Sequence, residues 1–375
     1  MVRCRIDGVL QEMMILLPQA LPSLVSHIKV PAGMRIDERR APQDGRFEIS
    51  LNDLKFDLRV SSLPTQWGEK LVMRMLSKEF LVFELEDLGL AGSDYEILLP
   101  NILRPHGLVL ITGPTGSGKS TTLYSMLNRL ASERKYLINI STVEDPVEYT
   151  LPRINQVSVN TAAGLTFAAA LRSILRQDPD AIMVGEIRDR ETADMAIRAA
   201  LVGRLLFSTL HTNDATSAVV RIIDIGVEPF LLASTLSMVI SQRLVRRICT
   251  SCRESMAPPP STIALLRTRP DFETTIHALQ SQNVLPRGDY PLTGIRLFRG
   301  KGCAQCQGTG FRGRLGVFEL FQINDEIRGM VMARSDAASI RAAAIGRGMK
   351  TLFQDGLAKV LIGETSLEEV LRVAL

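Results

Sequence analysis

Residues 113 to 121 read Gly113-Pro114-Thr115-Gly116-Ser117-Gly118-Lys119-Ser120-Thr121, the spacing G-x-x-x-x-G-K-[ST]. Glycines at these positions let consecutive backbone N–H groups curl around phosphate oxygens, and a helix starting at the lysine adds the positive end of its dipole. Lys119 is placed for the β and γ phosphates, and Ser120 for a hydroxyl contact to Mg²⁺. The ligand implied is a nucleoside triphosphate. Phosphoryl transfer also needs acids that position water or hold the hydrated Mg²⁺. Glu144, Asp145 and Glu148 in STVEDPVEY, and Glu186 in AIMVGEIRD, are the candidates. Each alone could equally be a helix cap or a surface charge; beside a phosphate loop, the two groups together read as catalytic. His211, after LLFSTL, is a candidate γ-phosphate sensor or a structural histidine. Arg59, with Arg46 and Arg74, lies outside the phosphate-loop region, where a guanidinium can reach a nucleotide across a domain or subunit boundary or simply solvate a face.

Five cysteines fall as Cys4 alone and two C-x-x-C pairs, Cys249/Cys252 and Cys303/Cys306. Four thiolates suit a tetrahedral structural Zn²⁺ with no open position for catalysis, while a redox or fortuitous pairing stays open on spacing alone. Gly302, Gly308 and Gly310 permit the tight turns that a metal knuckle needs.

These groups need elements to carry them. From 47 to 61 the chain alternates apolar and polar residues around Asn52-Asp53, which predicts a β-hairpin half-buried on a sheet. A loop over Pro64 to Glu69 and the apolar run Leu71 to Leu76 complete a small α+β domain over residues 1–88. The opening VRCRIDG reads as the interior of a strand, which points to missing upstream sequence. The acidic, Leu-rich stretch around Glu84 to Asp94 reads as a linker and helix, with residues 89–101 as the linker between the domains. Leu108 to Thr112, Leu137 to Val143, Ala181 to Val184 and Leu205 to Leu210 are short apolar runs spaced by helix-like segments, as in buried parallel strands. Each run ends in polar residues, and in open α/β sheets ligands sit at the carboxyl ends of the strands. The second domain, 102–375, is therefore α/β. Beyond about 214 it reads as mostly helical, interrupted by the cysteine region 249–306.

With 375 residues, 46% of them hydrophobic and 22% charged, the chain suits two or three folded domains rather than a disordered one. Its formal net charge is +4, with the charges interspersed, no lysine occurs from 136 to 300, and aromatics are 5%. That argues against the basic and aromatic track of a nucleic-acid translocase, so no nucleic-acid partner is expected. No run of eighteen apolar residues occurs, and a cytosolic location is expected. A regulatory module that binds nucleotide without turning it over remains a third reading.

Four motifs now stand in order: GPTGSGKST (113–121), STVEDPVEY (141–149), LRQDPDAIMVGEIRD (175–189) and STLHTND (208–214). They resemble the Walker A motif, Asp box, Walker B motif and His box of secretion ATPases of the GspE/PilB type, the motors of type II secretion and type IV pilus assembly. The likeness covers essentially the whole chain, including RIDGVL, RVSSLPTQWGEK and the tail SLEEVLRV. It implies a RecA-like P-loop NTPase domain, a smaller PAS-like N-terminal domain and a tetracysteine zinc subdomain. It further implies a homo-hexamer peripheral to the cytoplasmic face of the inner membrane, which drives a membrane platform protein to assemble a pilin-like pseudopilus, or a type IV pilus in extension. By resemblance Lys119 and Ser120 bind phosphate and Mg²⁺, Glu186 supports Mg²⁺ or the catalytic water, Glu148 is a candidate base, and Arg59 reaches the nucleotide. Which glutamate activates water is left open. Gly203-Arg204 stands where many relatives have Gly-His, so the His box is incomplete. By the same resemblance, a membrane-anchoring protein is an expected partner where an N-terminal extension, missing from these residues, is present.

Overall fold

The structure, a computed structural model, describes the chain apart from residues 53, 78–82, 91, 270–271, 282–284, 286–294 and 375. It divides into two compact units, Met1–Leu81 with Glu148–Leu151, and Val82–Val147 with Pro152–Leu375.

In the first unit, Val2–Ile6 (β1) and Val9–Met14 (β2) form a hairpin about Asp7-Gly8, whose positive φ values of 47° and 85° match the twist of the paired strands. A helix follows over Leu21–Lys29 (α1). Gln43–Leu51 (β3), Leu54–Thr65 (β4) and Gly68–Ser77 (β5) then make a three-stranded antiparallel sheet. The expected hairpin is present, with Leu51 opposite Leu54. Asn52 supplies a positive φ at the turn, and Asp53 lies outside the described residues. Its apolar face is buried only in the middle: Leu58 and Val60 are covered, with Val60 packing near Ala32 and Met34, whereas Leu51 at the turn is 60% exposed. The loop expected over Pro64 to Glu69 is corrected. Thr65 pairs with Gly68, so both strands run on through Pro64 and Glu69 and only Gln66-Trp67 turn. Gly68 supplies the left-handed φ of 106° that so tight a turn needs, and Thr65 Oγ1 donates to its carbonyl at 2.6 Å. Glu69 is thereby held where it pairs with the buried Lys29.

The second unit is built on a seven-stranded sheet. After Ser93–Ile102 (α2) come Gly107–Thr112 (β6), Lys119–Glu133 (α3), Ile140–Glu144 (β7), Asn155–Ser158 (β8), Phe167–Ile174 (α4), Ala181–Val184 (β9), Arg190–Leu201 (α5) and Leu205–Leu210 (β10). Ala215–Ile225 (α6), Pro229–Thr235 (α7) and Leu236–Ile248 (β11) follow, then Arg253–Met256 (β12), Pro260–Arg267 (α8), Phe272–Ser281 (α9), Leu297–Gly300 (β13) and Phe311–Gln322 (β14). Four helices close the chain: Asp325–Met332 (α10), Ala337–Gly346 (α11), Leu352–Leu361 (α12) and Leu367–Val373 (α13). The sheet order is β14-β11-β6-β10-β9-β7-β8, parallel except for β14.

The four apolar runs are the adjacent central strands β6, β10, β9 and β7, and every residue in them is buried. β7 starts at Ile140 instead of Leu137, because Lys135 and Tyr136 take positive φ in a turn that leaves Leu137 83% exposed. The mostly helical reading beyond 214 is also corrected: β11 and β14 are long strands of the same sheet. Leu236, Ile240, Leu244 and Ile248 recur every fourth residue, which mimics a helix, but both faces of this segment are covered, so its pattern carries no alternation. Asp189 and Asp214 cap α5 and α6, each accepting from the backbone N–H three residues on.

Candidate nucleotide and metal sites

β6 delivers the phosphate loop at its carboxyl end, and α3 starts at Lys119. Gly113, Gly116 and Gly118 have φ of 151°, 80° and 88°. A Cβ on Gly113 would sit 2.5 Å from the Gln242 carbonyl, so only glycine fits there. Pro114, Thr115, Gly116 and Ser120 are exposed, Thr121 is half-buried, and Ser117 is buried with its Oγ 2.6 Å from the same Gly113 position. Lys119 Nζ folds back onto the carbonyls of Gly113, at 2.8 Å, and Pro114, at 3.1 Å. Burial pulls its ammonium below the ordinary value, Glu186 opposes this, and Arg243 adds to the lowering. A half-desolvated cation of this kind gains most from an anion beside it.

Because β6, β10 and β9 are parallel neighbours, their carboxyl ends share one edge. Glu186 follows β9 and His211 follows β10, and His211 Nε2 lies 3.4 Å from the Glu186 carboxylate, which also pairs with Arg188 at 2.7 Å. Glu186 is mostly covered and His211 half exposed. Thr112 at the end of β6 is tied to Thr212, accepting from its N–H at 2.9 Å, so the phosphate loop and the His211 segment are joined at their roots. Lys119, Ser120, Glu186 and His211 therefore belong to one edge of one sheet.

The other acids divide. Glu144 is buried and receives Tyr124 Oη, Thr142 Oγ1 at 2.6 Å and Gln156 Nε2 at 3.1 Å. That network occupies it in fixing β7 against α3. Asp145 is exposed. Glu148 packs with the first unit, where its carboxylate lies 3.4 Å from Arg59 Nη2; Arg59 also lies 4.0 Å from Asp57. Arg46 and Arg74 flank Arg59 as its ladder partners on β3 and β5. Arg204 precedes β10, at the opposite end of that strand from His211, and pairs with Asp178 at 2.7 Å. Six strand residues, at about 3.3 Å each, separate it from the nucleotide edge.

All four paired cysteines converge, their sulfurs lying within 4.8 Å of one another. Cys249–Cys303 and Cys252–Cys306 are 3.8 Å apart and Cys303–Cys306 3.7 Å. Tetrahedral Zn–S bonds of about 2.3 Å require sulfur edges of about 3.8 Å. The donors fit zinc and are too far apart for disulfides. Burial pushes the Cys252 thiol up to about 12. At Cys306 burial is outweighed by N–H donors from Cys303 and Gly310, which bring the thiol to about 6. Gly300 and Gly310 pack backbone to backbone, with 2.0 Å between a Cβ on Gly300 and the Gly310 carbonyl, so this knuckle admits no side chain there.

Sequence reasoning missed Tyr124, Gln156, Gln242 and Arg243, which touch these groups from other elements. Their contacts depend on which strands become neighbours, and no local spacing records that.

A profile of the family described as type II/IV secretion system protein matches residues 1–372. The chain is 48% identical over 370 residues to a type IV pilus assembly ATPase, PilB, of Thermus thermophilus, covering 99% of this chain and 39% of that protein. It is 48% identical over 376 residues to the type II secretion system protein E of Pectobacterium carotovorum, covering 100% of this chain and 70% of that one. It thus spans well under half of the first of these relatives. Among solved structures, the pilus retraction motor PilT with bound ADP aligns at a TM-score of 0.62 and 26% identity, over 99% of this chain and 89% of that one. The ATPase DotB of Legionella pneumophila aligns at 0.64 and 18% identity, over 98% and 86%, a likeness of fold. A phosphate loop sharing its sheet edge with Glu186 and His211, four converging cysteines and a profile match along almost the whole length place this chain in the type II/IV secretion system protein family.

Proposed function

We propose that the chain is an ATP-hydrolysing motor subunit that works as a homo-hexamer and powers type II secretion by assembling a pilin-like pseudopilus. The observation that carries this reading is the meeting of Lys119, Glu186 and His211 at the edge where β6 opens into the phosphate loop. Backbone N–H groups of the loop and Lys119 bind the phosphates. Ser120 would hold Mg²⁺, which would supply charge neutralisation at the phosphates. Glu186 orients the attacking water with His211 against its carboxylate; Glu148 is the alternative base, held by Arg59. Cys249, Cys252, Cys303 and Cys306 hold Zn²⁺ as a structural pin. The motor sits on the cytoplasmic face of the inner membrane, where a platform protein takes up its work. Among the described residues no helix is long and apolar enough to cross a membrane.

Lys119→Ala is expected to abolish nucleotide binding, while Glu186→Gln retains binding and loses phosphate release. Full turnover in both variants defeats the assignment. A second reading, extension of a type IV pilus, is favoured by the equal 48% identity to PilB. Complementation of a secretion-motor null strain and a pilus-motor null strain decides between them. Turnover strongly stimulated by DNA, with a steep salt dependence, would replace both with a translocase.

A further inference from the structure

The parallel ladder between β11 and β6 ends at Ser241 opposite Thr112, the last residue before the phosphate loop. Beyond that point β11 stays paired with β14 on its other side, Gln242 with Phe318 and Arg243 with Val317. Gln242 and Arg243 therefore stand on a fixed strand alongside a loop that has no strand of its own. Successive strand side chains point to opposite faces, so these two leave β11 in different directions.

Gln242 is 1% exposed. Its Oε1 accepts from Thr122 Oγ1 at 2.8 Å, in the first turn of α3, and its Nε2 lies 2.8 Å from the position of a Cβ on Gly118. It meets the loop where the loop becomes a helix. Arg243 meets the loop where it leaves the sheet: Nη1 lies 3.2 Å from the Cβ position of Gly113 and donates to the Gln242 carbonyl at 3.0 Å. Nη2 donates to the Asn213 carbonyl at 2.5 Å, two residues past His211. One dipeptide thus touches both ends of the phosphate loop and the segment carrying His211.

We propose that Gln242 and Arg243 are positioning residues for nucleotide binding and turnover, clamping the phosphate loop to β11 at its two ends and tying the His211 segment to the same strand. The proposal rests on reading 113–121 as a phosphate loop. The physical need is that a glycine-rich loop loses much backbone freedom when ordered, and oriented amides stabilise developing charge only if ordered beforehand. Gln242 fixes the first turn of α3, which carries Lys119 and Ser120, so it acts on nucleotide affinity. Arg243 aligns the His211 segment with the loop, so it acts on the chemical step.

The test measures fluorescent ATP-analogue binding, steady-state phosphate release and thermal unfolding for wild type, Gln242→Met, Thr122→Val, Arg243→Ala and Arg243→Lys, with Lys119→Ala as control. Gln242→Met keeps the buried volume, and it is expected to weaken nucleotide binding about ten- to hundredfold, as displaced catalytic groups do. Thr122→Val should lose a similar factor, and combining the two should lose little more, because both remove one hydrogen bond. Arg243→Ala should lower kcat more than it raises KM, and Arg243→Lys should recover part of kcat. If Gln242→Met does not fold, the half-exposed Arg243 pair of variants still decides. Wild-type KM and kcat in the folded variants overturn the proposal, as do losses that merely follow the melting temperature. Wild-type protein that binds no nucleotide sinks the phosphate-loop reading itself, whereas normal wild-type binding with indifferent variants sinks the clamp alone.

Discussion

Replacing Glu369 with glutamine removes a charge while keeping the side chain's shape, in the element that closes over β11. The Glu369 side chain is 4% exposed and accepts from the Arg246 N–H at 2.9 Å, Arg246 Nη2 at 2.8 Å and Arg372 Nη2 at 2.8 Å. Burial pushes its carboxyl up, but those donors outweigh burial and hold it at about 2 against an ordinary 4.5. At about 1.4 kcal/mol for each tenfold step in acidity, that gap corresponds to roughly 3 kcal/mol of stability at neutral pH. A carboxyl depressed on folding contributes above its unfolded value and loses that contribution as pH falls toward the folded one. The stabilisation is therefore complete above about pH 5 and decays between about pH 4.5 and 2. Urea unfolding followed by far-UV circular dichroism should show Glu369→Gln less stable by roughly 3 kcal/mol at pH 7. The difference from wild type should shrink steadily as the buffer is acidified below pH 4.5. A gap independent of pH, or none at pH 7, refutes the charge argument and reduces Glu369 to a packing residue.

Lys359 Nζ meets Asp355 at 2.7 Å and the Gly316 carbonyl at 2.8 Å, both side chains being 7% exposed. Lys359→Met should cost about 3–5 kcal/mol in the same unfolding assay, and Asp355→Leu added to it should restore part of that, since a lone buried carboxylate is worse than none. Tyr124→Phe removes the buried hydroxyl that donates to Glu144, and should cost about 1–3 kcal/mol by thermal unfolding. Metal analysis should find one zinc per chain in wild type and a marked loss in Cys303→Ser; equal metal content in both refutes the tetrathiolate site.

The phosphate-loop spacing, Glu186 after β9 and His211 after β10 could be read because each rests on local spacing at the end of a recognisable apolar strand, whereas the three acids of STVEDPVEY separate: Glu144 ends β7 inside a buried network, Asp145 is exposed and Glu148 belongs to the first unit. The paired cysteines were legible as ligands for the same reason, yet their convergence across fifty intervening residues came from the β12–β13 pairing and the glycine contacts at 300 and 310. β11 and the Leu315–Phe321 stretch of β14 escaped the pattern because they are covered on both sides, and burial on two faces erases the alternation that reveals a strand. With β11 went Gln242 and Arg243, whose sequence neighbours say nothing about a loop more than a hundred residues earlier. Residue type and spacing determined which groups are candidates for phosphate and metal; the order of strands in the sheet decided which elements lie against them. The physical reason is that a phosphate loop or a single C-x-x-C pair is written in residues close together along the chain, whereas bringing two such pairs together or holding a loop in place depends on non-local packing that exists only once the fold has assembled.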